Sequence, residues 1–175
     1  MWVASSDDPI AQNIQDLLGW KHDQAIVEAP FSVAPNNFQY FKFSLPEASL
    51  NVSIVGDFAA TAGNEVKPRK TKGKNLAKDA VGDDNLEVFV LTESAFAVWQ
   101  NGYSTGSLYE SGRGPRGNIQ ADLPPGAGIY YLIFNNKFEP MAAKRVQATV
   151  FLRYRNWLPE SIRRLKARIL NWFDL

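Results

Sequence analysis

The chain of 175 residues contains no cysteine, one histidine and only two methionines. Without cysteine, neither disulfides nor thiolate sites for zinc, haem or iron–sulfur clusters can form. With a single histidine, a transition-metal site would need mostly carboxylate ligands, which is an uncommon ligand set for these metals, and no metal or cofactor is predicted. No run of about 18 apolar residues occurs, and the sequence therefore predicts no transmembrane helix.

Positive and negative charges nearly balance over the whole chain, but many of the basic residues are clustered in two segments. The formal net charge is +1, with six of the 19 basic residues in Lys67–Lys78 and eight in Lys144–Arg168. A near-neutral total gives no global attraction to nucleic acid. Lys67–Lys78 also lacks the aromatic residues that single-strand grooves use for stacking. We expect either a solvated loop here or a site for an anionic surface, and no nucleic-acid partner.

Short apolar segments separated by turn residues recur from residue 25 to residue 155 and predict an all-β fold. Phe38–Leu45 and Leu50–Phe58 alternate, and the alternation in the second segment assigns Leu50 to the buried face. Ala25–Val33 contains Pro30 and is predicted to lie at a sheet edge. Ile129–Phe134 is apolar on both faces, which predicts a central strand covered on both sides. The expected class is an antiparallel, jelly-roll-like β-sandwich of about eight strands.

Three regions follow from this pattern. Residues 1–22 form a predicted N-terminal helical extension, because Asp7-Asp8-Pro9 is typical of a helix start. Residues 23–156 form the sandwich, with a long basic loop over 61–85, and residues 157–175 form an amphipathic helix. The start MWVASSDDPI does not have the pattern of a signal peptide, and the cell compartment is left open.

The predicted C-terminal helix has a basic face and an apolar face that includes Trp172. This combination is typical of helices that lie in a membrane interface, and packing of the apolar face on the sandwich is the alternative. The residues predicted for membrane or partner contact are Ile162, Arg163, Arg164, Leu165, Lys166, Arg168, Ile169, Trp172 and Phe173.

Several short motifs between Asn85 and Tyr154 are similar to those of a known domain family. The motifs are Leu86–Leu91, Trp99-Gln100-Asn101-Gly102, Leu123-Pro124, Gly128–Phe134, and the residues Asn136, Phe138, Lys144 and Val146. In these motifs the chain resembles the GOLD (Golgi dynamics) domain, in particular uncharacterised bacterial proteins of this type, and a weaker match extends through Phe31–Phe58. The resemblance implies a jelly-roll-like sandwich that is used for protein or lipid interaction at membranes.

Three aromatic residues could form a platform for a sugar ring. Phe96 and Val98 alternate before Asn101-Gly102, which predicts a strand followed by a hairpin turn. Trp99, Tyr103 and Tyr109 would flank this turn, where they either bind a sugar or close the end of the core.

Other candidate sites have weaker patterns. His22 would have to serve any Ser–His–Asp relay, but its position favours a surface linker. Two acidic residues could hydrolyse a glycoside, and the candidates are Glu93, Glu110, Asp122 and Glu139.

Oxygen ligands for calcium could come from Asp79, Asp83, Asp84 and Glu87, for which a solvated acidic turn is the alternative. Ser111–Gly117 is glycine-rich but lacks the end of a P-loop, so it is predicted to connect two strands, with an anion contact as the alternative.

No motif names a reaction, and the sequence therefore predicts a non-enzymatic interaction module. We expect it to dock to a protein or to an anionic or membrane surface through the basic loop and the C-terminal helix. The candidate anion-binding residues are Lys67, Arg69, Lys70, Lys72, Lys74, Lys78, Arg113 and Arg116. The alternatives are a carbohydrate-binding module and a carboxylate-dependent hydrolase.

Overall fold

The computed structural model describes residues 21–47, 49–63 and 83–156. The predicted N-terminal helix, most of the basic loop and the predicted C-terminal helix lie outside these residues. The elements of the described part, in chain order, are β1 (Lys21–Val27), β2 (Phe31–Val33), β3 (Phe38–Leu45), β4 (Ser49–Ala62), β5 (Glu87–Thr92), α1 (Glu93–Gln100), β6 (Tyr109–Glu110), β7 (Arg116–Asp122), β8 (Gly128–Asn135) and β9 (Lys144–Asn156).

The strands form two sheets in which every pair is antiparallel. The larger sheet has the order β1-β9-β4-β7, and β2 also pairs with β9. The smaller sheet has the order β3-β8-β5-β6. The prediction of an all-β fold built from antiparallel strands is confirmed, and the break at Pro30 separates β1 from β2 on one edge of the larger sheet, as expected.

The main core lies between the two sheets. Ile54 and Val150 from the larger sheet and Leu132 and Phe134 from the smaller sheet are fully buried there. Alternate residues of each strand point inward, which is why the apolar side chains of successive strands meet in one layer.

Strand β8 is buried on both faces, as the sequence predicts. Leu132 and Phe134 face the main core. Tyr131 and Ile133 face outward and pack against Phe96 of α1 in a second cluster. The short helix therefore covers the outer face of the smaller sheet, and this second cluster positions the site described below.

The prediction of a strand at Phe96 and Val98 is wrong, because both residues lie in α1. Thr92 caps the helix: its side-chain oxygen accepts a hydrogen bond from the Ala95 amide at 3.2 Å, which is the usual N-cap arrangement. Gly102, with φ of 87°, follows the helix end and donates its amide to the Trp99 carbonyl at 2.9 Å. The Asn101-Gly102 pair thus ends a helix, a role that left-handed glycine commonly has.

The prediction that Leu50 lies on the buried face is also wrong, because Leu50 is 40% exposed. The pairing of β4 with β9 shifts between Leu50 and Ser53. Asn51 between them has φ of 49°. One irregular residue of this kind reverses the faces that side chains point to on either side of it.

Candidate functional site

A cleft of about 290 Å³ lies where the end of α1 and the following turn meet the end of β8. We call it the Trp99–Tyr103 cleft. Its lining residues are Trp99, Gly102, Tyr103, Ser104, Asn135 and Lys137.

Trp99 is held in place by aromatic neighbours. Its ring centroid is 4.9 Å from that of Phe38 in an edge-to-face contact, and 5.9 Å from that of Phe89. Phe96 lies 6.4 Å away with its ring nearly parallel. Phe96 and Trp99 are three residues apart in α1 and share one helical face. The indole is therefore a half-buried, immobilised wall of the cleft.

Tyr103 is the exposed ring of the same cleft, with 70% of the residue accessible. Its backbone amide donates to the Val98 carbonyl at 3.3 Å, so the turn after α1 fixes its backbone. The structure thus places two of the three aromatic candidates, Trp99 and Tyr103, together.

Tyr109 does not line the cleft. It lies in β6, packs against the main core, and its hydroxyl donates to the Asn118 carbonyl at 2.6 Å. Burial raises the pKa of the Tyr109 phenol above its usual value. This position fits the alternative role of closing the core.

Lys137 contributes a cation to the cleft. Its Nζ lies 4.3 Å from the centroid of the Trp99 ring and 4.8 Å from that of the Phe38 ring. Such distances are within the range of cation–π attraction. No carboxylate lies within 4.0 Å of this ammonium among the described residues. Sequence reasoning missed Lys137, because only the turn after β8 brings it beside Trp99 of α1.

Asn135 forms the polar floor of the cleft and is only 7% exposed. Its Nδ2 donates to Glu87 Oε2 at 2.7 Å, and its Oδ1 accepts from the Lys137 amide at 3.1 Å. Glu87 Oε1 in turn accepts from Arg113 Nε at 2.7 Å. These internal bonds fix the floor, and they leave the side chains of Tyr103, Ser104 and Lys137 to contact a ligand.

Two of the eight candidate anion-binding residues lie in the described part. Arg113 is paired with Glu87 and lies 4.2 Å over the ring of Phe138. Arg116 is exposed at the start of β7. The predicted connection at Ser111–Gly117 joins β6 to β7, and its last two residues already belong to β7. Ser111 Oγ accepts from the Val88 amide at 2.9 Å. The six lysine and arginine residues of Lys67–Lys78 and the nine C-terminal candidates lie outside the described residues.

The acidic candidates for calcium have separate partners. Asp83 pairs with Lys144, Asp84 accepts from the Ala62 amide at 2.6 Å, and Glu87 pairs with Arg113. Asp79 lies outside the described residues. Within residues 21–47, 49–63 and 83–156, no three His, Asp or Glu side chains are grouped closely enough to hold a metal ion.

The four carboxylates considered for hydrolysis lie on different elements. Glu93 begins α1 and is 3.9 Å from Lys42, Glu110 is in β6, and Asp122 ends β7. Glu139 accepts from the Met141 amide at 2.9 Å in the connection between β8 and β9.

His22 lies within β1 rather than in a linker. Its backbone pairs with that of Tyr154 on β9, and the two rings stack with centroids 5.2 Å apart.

A buried cation at the start of β9 also escaped sequence reasoning. Lys144 is 0% exposed, and its Nζ donates to the backbone carbonyl of Asp83 and, at 3.1 Å, to Asp83 Oδ1. Partial burial opposes ionisation of Asp83, but hydrogen bonds from Lys144 and Asn85 and the charge of Lys144 lower its pKa overall. The sequence did contain a signal, because Lys144 has the same alternation phase as buried Val146.

No protein-family model matches the chain, and no curated protein matches it in sequence. In the part of the chain that the structure describes, no helix is long and apolar enough to cross a membrane.

Proposed function

We propose that the protein is a non-enzymatic binding module that binds a carbohydrate in the Trp99–Tyr103 cleft. The single observation that supports this is the pairing of an immobilised indole with an exposed phenol ring in one concave site. The apolar face of a sugar ring can stack on such a ring, while its hydroxyls bond to polar groups at the rim. Binding sites of this kind are mostly apolar with a few fixed polar groups.

Rigidity of the cleft supports the same function. Trp99 is held by Phe38, Phe89 and Phe96, and Asn135 is held by Glu87. A ligand therefore does not have to order Trp99 and Asn135, which lowers the entropic cost of binding. Tyrosine and tryptophan also give large contact areas with few rotatable bonds.

The test is a glycan array followed by calorimetry with the full chain and two tyrosine variants. Tyr103→Ala removes the exposed ring and should weaken sugar binding at least about fivefold, since a stacked aromatic contact contributes about 1 kcal/mol beyond its buried area. Tyr40→Ala is the control for loss of an exposed tyrosine, because Tyr40 is 45% exposed on β3 and does not line the cleft. Absence of any glycan binding by the unmodified chain would refute the proposal.

For the fold, we propose the finer assignment to a jelly-roll-like sandwich of the GOLD type. Two antiparallel sheets packed on one core support it, as does the central position of Gly128–Asn135, which contains the most distinctive motif of the resemblance.

Docking to an anionic protein or membrane surface is a second proposed function, and it is supported by the way the basic loop is anchored. The charged stretch Lys67–Lys78 lies between Gly63 and Asp83. Gly63 donates to the Ala143 carbonyl at 2.8 Å, and Asp83 pairs with buried Lys144. Both flanks of the stretch are therefore bonded to one end of the larger sheet.

The C-terminal basic segment follows the opposite end of β9, after Asn156. The strand from Lys144 to Asn156 has a length of about 40 Å at the usual rise per residue. We therefore propose that the two basic segments contact an anionic surface independently.

Co-sedimentation with vesicles tests the membrane version of this docking. Replacing the six cations of Lys67–Lys78 or the four of Arg163–Arg168 by glutamine should each lower binding to anionic vesicles, because each basic residue near such a surface contributes about 1 kcal/mol. Equal binding to neutral and anionic vesicles, or none to either, would exclude it.

A further inference from the structure

We infer that the ligand of the Trp99–Tyr103 cleft is an acidic saccharide, whose carboxylate pairs with Lys137 while the sugar ring lies against Tyr103. This inference rests on the proposed carbohydrate-binding function and specifies its substrate class.

The argument begins with the charge of Lys137. Four ion pairs occur within the described residues, and they join Lys42 to Glu93, Arg113 to Glu87, Lys144 to Asp83, and Arg153 to Asp23. Lys137 belongs to none of them. Its ammonium lies over two aromatic rings instead, and ring quadrupoles attract a cation without neutralising its charge.

The acid bonded to the cleft floor is already neutralised. Glu87 bonds to Asn135, which lines the cleft, but both of its oxygens are occupied, one by Asn135 Nδ2 and one by Arg113 Nε, each at 2.7 Å. The Arg113–Glu87 pair has no net charge. Lys137 therefore gives the cleft a charge of +1.

The end of α1 does not compensate this charge strongly. Free carbonyls at a helix C-terminus attract cations, but here three of the last four carbonyls are bonded within the turn. The Ala97 carbonyl accepts from Asn101 Nδ2 at 2.7 Å, and the Trp99 carbonyl accepts from the Gly102 amide at 2.9 Å. The Val98 carbonyl accepts from the Tyr103 amide.

The chemistry of the lining selects a singly charged sugar acid. One ammonium offers up to three donors to a carboxylate, whereas phosphate sites generally combine an arginine fork with backbone amides or a helix N-terminus. Here Arg113 does not line the cleft and its charge is paired with Glu87, and the helix presents its C-terminus. Tyr103 and Ser104 are exposed and can contact the ring and its hydroxyls.

The experiment compares uronic-acid oligosaccharides with their carboxyl-reduced counterparts, which have the same ring and linkage but no charge. The unmodified full chain should bind the acidic member of a pair at least about tenfold more tightly, and the preference should shrink as salt screens the charge. Lys137→Met keeps an unbranched apolar stem over the rings and should abolish the preference. Lys42→Met is the matched control, because Lys42 also lies over an aromatic ring, at 5.8 Å from the Tyr131 centroid, but outside the cleft.

The outcomes separate the two proposals. Equal binding of acidic and reduced sugars, or a preference that Lys137→Met leaves unchanged, would overturn the acidic ligand while leaving the carbohydrate-binding function intact. Binding to neither member of any pair, nor to any glycan of the array, would overturn both. If a simple monocarboxylate such as acetate competes as well as the oligosaccharide, the site recognises the charge alone and the inference also fails.

Discussion

Removing either partner of the ion pair between Lys144 and Asp83 should lower the stability of the fold by a different amount. Lys144 is fully buried, whereas the Asp83 side chain is 50% exposed. Removing the acid leaves a buried ammonium with the Asp83 backbone carbonyl as its remaining partner. Removing the lysine leaves a carboxylate that water can solvate. Loss of the acid should therefore destabilise the fold more than loss of the base.

The magnitudes follow from the same geometry. Breaking a fully buried pair by removing one partner costs about 3–5 kcal/mol, and apolar replacement of the buried member is often neutral. Because Asp83 is half exposed and its backbone carbonyl remains, we expect Asp83→Ala to cost about 1–3 kcal/mol. Lys144→Met, which fills the same space without charge, should stay within about 1 kcal/mol of the unmodified chain. The double variant should resemble Lys144→Met alone.

Urea unfolding of the four proteins at pH 7 measures these differences. The lowered pKa of Asp83 adds a pH signature, since a carboxyl with a depressed native pKa stabilises the fold above its unfolded value, near 3.8. This contribution should disappear as the pH falls from that value through the lower native pKa. Asp83→Ala should lack this acid-dependent loss. The reasoning fails if Lys144→Met is the more destabilising change, or if the double variant is worse than both.

Two further pairs of substitutions test the packing. Phe96→Ala should lower the unfolding free energy by about 3 kcal/mol, because the Phe96 ring stacks at 4.0 Å on the buried ring of Tyr131. Val98→Ala, at a position that is 41% exposed, should change it by less than about 0.5 kcal/mol. Similar losses for both variants would show that α1 does not cover the sheet. Gly56→Ala places a methyl group against the backbone of Thr149 in β9 and should lower the melting temperature by several degrees. Gly106→Ala, with no atom near the added carbon, should not lower it. An unchanged melting temperature for Gly56→Ala would contradict the observed spacing of β4 and β9.

Much of the fold could be predicted from local alternation. In β9 the inward residues Val146 and Val150 alternate with Gln147 and Thr149 over the length of the strand, and the uninterrupted apolar run of β8 indicated burial on both faces. Long strands of this kind contain enough repeats for the period to be unambiguous.

The errors occurred where the pattern was short. Phe96 and Val98 provide a single alternation, which a helix with Phe96 and Trp99 on one face produces equally well. The phase change at Asn51 depends on one backbone angle that no apolar pattern records. For such segments, capping residues such as Thr92 are a better guide than alternation.

The candidate site was predictable only in part. Trp99 and Tyr103 are close in sequence and were found by their residue type. Lys137 and Asn135 reach the cleft only because β8 pairs with β5, whose C-terminal end continues into α1. Contacts between segments that are distant in the sequence have no local sequence signal. This applies also to the ion pair of Lys144 with Asp83, for which the alternation of β9 indicated only that Lys144 is buried.

The central position of β9 has a consequence for how the protein is made. β9 pairs with β1, β2 and β4, all of which precede it by more than 80 residues. During translation β1 and β2 leave the ribosome without a partner strand and β4 can pair only with β7, and contacts between such distant segments form slowly. The larger sheet can therefore be completed only after synthesis has passed Asn156, and until then the unpaired edges of β1, β2 and β4 are open to aggregation.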